Sequence, residues 1–434
     1  MRDLLIRDVL ALTQAAVCPQ AAIAVRDGEI AYIGPEADLP PAYAGLPVYE
    51  GRGRIAMPGL VNAHTHAAMT LLRGYADDLA LHEWLTQMIF PAEARLTDED
   101  VYFGTMLACA EMIRSGTTCF ADMYFFMDAT ARAVAESGIR ASLSVGMGSG
   151  AGDVDGGRAK LAGALDFCSR WNGQAGGRIT TMLAPHAPYT CSTTFIKDVA
   201  RAARASGLGI HTHVSETARE VTEIVTEYGK SPVEHFEALG VFDVPTLAAH
   251  CVAVSERDID IMAAHGVRVA HNPGSNMKLA SGVAPVVDML AKGIAVGLGT
   301  DGAASNNNLD MIEEMRLATL LQKVSTGDPT AMPAAECLTM ATMGGARCLG
   351  LEQLIGSLEV GKRADLILVD HSLPHMEPFL ASRATSHMVY ASSSSDVSSV
   401  IIDGSVVMDE RRLTTIDETA ILAEARRRAA VLVE

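Results

Sequence analysis

Apolar segments of strand length alternate with amphipathic segments of helix length through the middle of the chain. Beginning near Ile55, eight apolar segments end at MPGLVNAHTH, GTTCFADMYFF, RASLSVGMG, ITTMLAPHAPYT, GIHTHVSET, TLAAHCVAV, VRVAHNPGSN and AVGLGTDGAASN. One of the helical patterns between them opens with Thr97 and Asp100 at capping-box spacing and stops at Gly116. Eight alternations over about 250 residues predict an α/β fold, a (β/α)8 TIM barrel. A doubly wound sheet is the alternative, because the sequence does not show closure.

Both ends of the chain have a different pattern, with short apolar segments broken by turn signals. Asp27-Gly28 and Asp403-Gly404 are hairpin signals between alternating segments. These β segments are too small to be independent domains, and we expect them to join into one small β-sandwich beside the barrel. The predicted organisation is a first sandwich part at 1–58, the barrel at 59–362, and the second sandwich part with a terminal amphipathic helix at 363–434.

Composition narrows the class of partner. The chain has 434 residues, 49% of them hydrophobic and 20% charged, which is typical of a globular protein. Its formal charge of −18 repels phosphate backbones, so we expect no nucleic-acid partner. No apolar run approaches the roughly 18–20 residues that span a bilayer, so no membrane partner is expected. The eight cysteines form no CxxC pair and the N-terminus carries no clear export signal, which together predict a cytoplasmic protein.

Candidate chemistry lies where the predicted barrel strands end. His64 and His66 are two residues apart on an extended segment, so both imidazoles point to one side and can hold one metal ion. Further ionisable residues follow the later strands: His186, His213, His250, His271 and Asp301. Barrel active sites occupy this carboxyl-terminal rim. Three imidazoles and one carboxylate are typical of zinc or ferrous iron, and no lysine follows the fourth strand to bridge a second ion.

Two residues near this set are candidates for proton transfer. Glu216 follows His213 by three residues and could reach a water on the metal, or it could lie in the first turn of a helix that begins near Ser215. His250 ends the apolar segment TLAAHC. It is either a hydrogen-bonded core histidine or, beside a metal, a group that polarises a tetrahedral oxygen.

Five segments resemble a known family: PGLVNAHTHAAMTLLRG, HVSE, AAHC, HNPGSNMKLASG and LGTDGAASNN. With GKRADLILVD near the end, they resemble the amidohydrolase superfamily over essentially the whole chain. Within it, the chain is similar to the 5′-methylthioadenosine/S-adenosylhomocysteine deaminases, which are related to the triazine chlorohydrolases. The resemblance implies a homo-oligomer with one divalent ion per subunit. Zn²⁺ is the first expectation for this ion, and Fe²⁺ or Mn²⁺ are the alternatives.

The resemblance also implies roles for individual residues. The metal ligands it implies are His64, His66, His213 and Asp301. Glu216 would carry protons to the ring nitrogen, while His250 and Asp301 would hold and deprotonate the attacking hydroxide.

The resemblance gives substrate-binding residues as well. Glu93 matches a glutamate that binds the ribose hydroxyls, His186 a histidine on the purine edge, and Ser305 a serine that reaches another ring nitrogen. Arg158 matches an arginine that takes the homocysteine carboxylate. Read without the resemblance, Glu93 is an ordinary loop charge and Arg158 a loop arginine. Val145 stands where a second arginine is expected, so we expect a preference for 5′-methylthioadenosine or another 5′-modified adenosine over S-adenosylhomocysteine.

The leading hypothesis is hydrolytic deamination of an adenosine derivative to the inosine form with release of ammonia. The same machinery could act instead on a free aromatic base, such as guanine or a pterin, or on an s-triazine. Glu93 discriminates between these, since a free base has no ribose to bind. A non-catalytic scaffold is the third hypothesis, but relatives of that kind have lost metal ligands and none is missing here.

Overall fold

Two β-sheets organise the computed structural model, which describes residues 2–13, 16–150 and 152–433. Strands from the two ends of the chain form a nine-stranded mixed sheet, and strands from its middle form an eight-stranded parallel sheet. The N-terminal strands are β1 (Leu4–Leu12), β2 (Val17–Arg26), β3 (Glu29–Pro35), β4 (Val48–Glu50) and β5 (Arg54–Pro58). The parallel strands are β6 (Leu60–Thr65), β7 (Thr117–Tyr124), β8 (Arg140–Met147), β9 (Ile179–Pro185), β10 (Ile210–Val214), β11 (Thr246–His250), β12 (Arg268–His271) and β13 (Val296–Leu298). The C-terminal strands are β14 (Leu366–Asp370), β15 (Val397–Ile402), β16 (Ser405–Asp409) and β17 (Arg412–Leu413).

Helices connect the parallel strands and cover their outer face. They are α1 (Leu81–Glu83), α2 (Phe90–Glu93), α3 (Asp98–Arg114), α4 (Met127–Ser137), α5 (Val154–Trp171), α6 (Gln174–Gly177), α7 (Thr193–Ser206), α8 (Ala218–Tyr228), α9 (Pro232–Ala238), α10 (Glu256–Ala264), α11 (Pro273–Lys278), α12 (Val286–Ala291), α13 (Ala303–Asn306), α14 (Met311–Thr326), α15 (Ala334–Thr339), α16 (Gly345–Leu349), α17 (Ala384–Tyr390) and α18 (Glu418–Val433). None of the helices among the described residues is both long enough and apolar enough to cross a bilayer.

The parallel sheet curls into a nearly closed barrel. Each strand pairs with its neighbour in sequence from β6 to β13, and hydrogen bonds at the carboxyl end join the last strand to the first. The Asp301 N–H donates to the His64 carbonyl at 3.0 Å, and the Thr300 N–H donates to the Asn62 side-chain oxygen at 3.0 Å. The predicted (β/α)8 barrel is therefore confirmed, and the doubly wound alternative is wrong.

The two ends of the chain meet in the mixed sheet. Strand β5 pairs antiparallel with β14, with Met57 opposite Ile367 in the middle of the register. Apolar side chains from both ends share one core beneath this sheet, including Ile23 from the N-terminal part and Leu366 from the C-terminal part. The predicted joining of the terminal segments beside the barrel is confirmed.

A buried ion pair fastens the barrel to the terminal sheet. Arg140, at the start of β8, donates to the two carboxylate oxygens of Asp365 at 2.7 and 3.1 Å. Both side chains are almost fully buried, at 3% and 1% exposed. The Asp365 carboxylate also accepts from the Asp403 N–H at 2.7 Å, so it fixes the hairpin before β16 as well.

Candidate active site

The candidate catalytic residues converge at the carboxyl ends of the barrel strands. His64 lies on β6, His213 on β10 and His250 at the end of β11, while Asp301 follows β13. The backbone leaves the barrel sharply at these points, with positive φ angles at Ser215 (50°), His250 (73°) and Asp301 (60°). Left-handed backbone at residues other than glycine is strained and concentrates at functional sites.

Four side chains surround one point: those of His64, His66, His213 and Asp301. The Asp301 Oδ1 atom lies 3.5 Å from His64 Nε2 and 3.3 Å from His66 Nε2. The His213 Nε2 atom lies 3.3 Å from His66 Nε2. Donor atoms of His64, His66 and Asp301 fall within 4.8 Å of one another, and so do those of His64, His213 and His250.

These residues fit a divalent metal ion. Within the described ranges, His64 Nε2 and Asp301 Oδ1 are buried and have no hydrogen-bond partner. Buried polar atoms without a partner are costly, and a cation between them removes that cost. Imidazole nitrogen and carboxylate oxygen are the donors that borderline divalent metals prefer.

Hydrogen bonds on the far side of each ring turn Nε2 toward the ion site. His66 Nδ1 donates to the Met123 carbonyl at 2.6 Å, and His213 Nδ1 donates to the His186 carbonyl at 2.7 Å. A proton held on Nδ1 leaves the lone pair on Nε2. Burial lowers the pKa of His64 to about 3 and that of His213 well below its usual value, so both rings are neutral at physiological pH and free to bind a cation.

Two serines hold the second oxygen of Asp301. Ser275 and Ser305 each donate a hydroxyl hydrogen bond to Asp301 Oδ2, at 2.7 and 2.8 Å. Burial opposes the charge, but the nearby imidazoles of His64, His66 and His250 bring the pKa of Asp301 well below its usual range. The structure thus places Ser305 against Asp301, whereas the sequence comparison placed it on a substrate ring nitrogen.

Glu216 and His250 face each other beside the ion site. Their Oε2 and Nε2 atoms are 3.8 Å apart, and His250 Nδ1 lies 2.9 Å from the Asn276 side-chain oxygen. Burial raises the pKa of Glu216. Burial lowers the pKa of His250, but the carboxylates of Glu216 and Asp301 outweigh it and raise that pKa overall. A carboxylate and an imidazole, the two side chains most suited to proton transfer, therefore lie side by side at this point.

A third carboxylate, Glu220, fixes the backbone that carries Glu216. Its two oxygens accept from the N–H groups of Ser215 at 3.0 Å and Glu216 at 2.8 Å. Thr217 caps the helix that Glu220 belongs to, with the Glu220 N–H donating to its hydroxyl. Sequence reasoning missed Glu220, although its spacing of three residues from Thr217 is the capping-box signal.

A cavity of about 300 Å³ opens above His64, His66, His213 and Asp301, which we call the metal set. Its volume is within the usual range for small-molecule sites. Glu93, His186, Glu216 and His250 line it together with His66, His213 and Asp301. The remaining wall is mostly apolar and includes Met69, Leu81, Trp84, Leu85, Phe90, Met123, Phe125 and Leu279. Burial raises the pKa of the Glu93 carboxyl group in this lining.

Two positions differ from their expected placement. Arg158 lies on α5 with 72% of its side chain exposed and faces Asp155, with Nη1 at 3.6 Å from the carboxylate. Val145 packs into the layer between barrel and helices, and Gly146 and Gly148 border the cavity instead. In the part of the chain that the structure describes, the cavity lining includes no arginine, and its one cation is Lys160, which sequence reasoning missed.

Known proteins are similar to this chain over nearly its whole length. Residues 55–407 match the amidohydrolase family. A 5-methylthioadenosine/S-adenosylhomocysteine deaminase of Pelotomaculum thermopropionicum is 52% identical, over 100% of this chain and 99% of the relative. A 5′-deoxyadenosine deaminase of Methanosarcina mazei is 49% identical, also over 100% and 99%. The solved structure of an adenosine deaminase from Xanthomonas campestris with bound zinc is 38% identical, with a TM-score of 0.92 and coverage of 99% and 98%.

Proposed function

Since this chain belongs to the amidohydrolase family, we propose that it is a metal-dependent deaminase that converts a 5′-modified adenosine to the inosine form and releases ammonia. One observation carries the proposal. A single cavity is lined by His66, His213 and Asp301 of the metal set, by the facing pair Glu216 and His250, and by the half-buried carboxylate of Glu93. That combination suits a substrate with a ring to be attacked and a sugar to be held.

His64, His66, His213 and Asp301 would hold the ion, and we propose zinc, which the Xanthomonas campestris deaminase carries. Bound there, a divalent ion supplies an acidified water, whose pKa falls to about 7. The serines on Asp301 Oδ2 keep its other oxygen directed at the histidines.

Glu216 and His250 would move the protons. Glu216, with its pKa raised by burial, takes a proton from the attacking water and delivers it to the ring nitrogen next to C6. The oxygen adds to C6, and the His250 N–H donates a hydrogen bond to it while that carbon is tetrahedral. The hydroxyl group on C6 then gives up its proton, which Asp301 or Glu216 passes to the amino group, so that ammonia leaves and C6 becomes a carbonyl carbon.

The rest of the cavity would select the substrate. The Glu93 carboxylate accepts from the two ribose hydroxyls. His186, whose Nδ1 lies 3.0 Å from the Thr190 hydroxyl, faces the purine edge with its other nitrogen. The apolar wall and the absence of an arginine from the described lining favour a 5′-deoxy or 5′-methylthio group over an amino acid. The relative named for 5′-deoxyadenosine supports that choice, whereas the 52% identical relative is named for both 5-methylthioadenosine and S-adenosylhomocysteine.

A panel of substrates tests the proposal. Zinc-loaded protein is mixed with 5′-methylthioadenosine, 5′-deoxyadenosine, S-adenosylhomocysteine, guanine and an s-triazine, and absorbance and ammonia are followed. We expect the adenine-to-hypoxanthine shift with the first two substrates, at higher kcat/KM than with the third. Turnover of only guanine or the triazine would contradict the assignment of substrate while keeping the reaction class.

Two further proposals concern the protein in its setting. All eight cysteines are free thiols and seven are buried, which supports a reducing compartment and hence the cytoplasm. The homo-oligomer implied by the family resemblance stays a prediction, and light scattering of the purified protein tests it.

A further inference from the structure

Glu314 is a fully buried carboxylate that the proposed reaction does not use. It lies in the first turn of α14 with none of its surface exposed to solvent. Among residues 2–13, 16–150 and 152–433 it makes no ion pair with a lysine or arginine, and its neighbours Glu313 and Asp310 are also acidic. Burial raises the pKa of Glu314, and the hydrogen bonds from Gly274 and Asn306 oppose that rise. Burying such a group costs free energy, which its hydrogen bonds must offset.

Both of its hydrogen bonds end on turns of the active site. Oε2 accepts from the Gly274 N–H at 3.0 Å, in the first turn of α11, the helix that follows β12. Oε1 accepts from Asn306 Nδ2 at 2.8 Å, at the end of α13, a single helical turn that follows β13. The same Asn306 nitrogen donates to the Thr300 carbonyl at 2.7 Å, which fixes the direction of the amide. Glu314 therefore accepts from two helical turns that follow neighbouring strands.

Each of those turns carries a serine that holds Asp301. Ser275 directly follows Gly274, and Ser305 directly precedes Asn306; both donate to Asp301 Oδ2. A Cβ atom on Gly274 would collide with the Glu314 carboxylate, so the close approach requires glycine at that position. The carboxylate thus sits behind the two serines and ties their turns together.

We propose that Glu314 is a positioning residue that fixes the orientation of the Asp301 carboxylate by joining the two turns whose serines hold it. Without this link, each turn moves independently and Asp301 Oδ1 loses its fixed direction toward the histidines. The inference rests on the proposed function, since Asp301 is taken there as a metal ligand. It adds a residue that touches neither the ion nor the substrate.

The test compares Glu314→Gln, which keeps the size of the side chain but not both acceptors, with Glu313→Gln as the matched control. Glu313 is the next residue on the same helix, is exposed, and contacts Asn308 instead. Release of zinc from loaded protein to an excess of chelator is measured, together with kcat and KM for 5′-methylthioadenosine. Zinc release needs no substrate, so it is informative even if the proposed reaction is wrong.

For Glu314→Gln we expect zinc release at least about tenfold faster and kcat at least about tenfold lower, as for other residues that orient metal ligands. KM should stay near the wild-type value because Glu93 and the apolar wall are untouched, and Glu313→Gln should match the wild type. A merely structural residue would lower the unfolding temperature and leave zinc release and kcat unchanged. That result would overturn the proposal.

A second variant keeps the proposal testable if Glu314→Gln does not fold. Asn306→Ala removes one of the two partners of Glu314 and leaves the carboxylate in place, and we expect the same signature with a smaller amplitude. In the Ser275→Ala background, Glu314→Gln should cost less than it does alone, because both changes loosen the same carboxylate. If the fold-changes in zinc release caused by Ser275→Ala and Glu314→Gln multiply fully in the double variant, the proposal is overturned.

Discussion

Replacing Glu216 by glutamine separates proton transfer from metal binding. The change keeps the shape of a side chain that is 5% exposed, and Glu220 still holds the backbone on which it stands. What is lost is the ability to carry a proton and the negative charge 3.8 Å from His250. Since Glu216 is outside the metal set, the ion should remain bound.

The magnitude follows from the two functions that the carboxylate serves. A general acid–base group contributes about 10²–10⁴-fold, and here one residue handles both the water proton and the ring-nitrogen proton. Loss of the charge also removes a cause of the raised pKa of His250, which weakens its hold on the oxygen. We therefore expect Glu216→Gln to lower kcat by about 10³-fold or more, which is roughly 4 kcal/mol at about 1.4 kcal/mol per tenfold.

The assay measures steady-state deamination and the zinc content of the same samples, with Glu223→Gln as control on the exposed face of α8, the helix that follows Glu216. Glu216 must be ionised to accept a proton, so wild-type kcat/KM should fall as the pH drops through its pKa, which lies above the usual 4.5. That acid limb should disappear in Glu216→Gln. A variant that keeps zinc and more than a tenth of the wild-type kcat would refute the reasoning, and so would one that loses the ion.

Three further predictions concern the substrate and the fold. Glu93→Gln should lower kcat/KM for 5′-methylthioadenosine by about 10–100-fold, because charged hydrogen bonds to two hydroxyls weaken, and should leave turnover of free adenine unchanged in the same assay. Arg158→Ala should leave kcat/KM for S-adenosylhomocysteine unchanged, since the side chain is 72% exposed and faces Asp155. Arg140→Ala leaves Asp365 buried without its partner and should lower the free energy of unfolding in urea by about 3–5 kcal/mol, with unchanged kcat in the folded protein.

Each of these has a contradicting result. Equal losses on the nucleoside and on free adenine would remove Glu93 from ribose binding. If Arg158→Ala greatly lowers kcat/KM for S-adenosylhomocysteine alone, Arg158 binds this substrate in the cavity. An unfolding midpoint in Arg140→Ala equal to that of the wild type would show that the pair does not fasten the barrel to the terminal sheet.

The barrel could be predicted because its signal is spread over eight repeated strand and helix segments. The joining of the two chain ends was predictable too, since neither end has enough apolar positions for a core of its own. The metal set was accessible because strand ends in a barrel share one rim, so residues far apart in sequence must meet there.

Side-chain direction was harder to predict. Leu143, Val145 and Met147 alternate with Ser144 and Gly146, and this two-residue period places Val145 on the outer face of β8, in the layer with Leu143 and Met147. The sequence therefore contained this alternation, but the motif comparison aligned Val145 with an arginine that binds substrate. For Arg158 no such signal exists. The direction of its side chain depends on where α5 begins, and the sequence does not show that this helix starts at Val154.

Buried carboxylates were the least predictable feature. Glu220 and Glu314 lie on helices among other acidic residues, where a glutamate is usually solvated. Their burial depends on turns that fold back over them from other parts of the chain, such as the Gly274 turn. That information is tertiary, and periodicity along a single helix does not contain it.

The central claim, addition of water to C6 of an adenine ring, is tested most directly by turnover in water labelled with heavy oxygen. The zinc-loaded protein is incubated with 5′-methylthioadenosine, and the product is analysed by mass spectrometry while ammonia is measured in the same sample. We predict one heavy oxygen atom per product, located on the base, and one ammonia released for each product formed. Unlabelled base, label on the sugar, or product without ammonia would contradict hydrolytic deamination at this site.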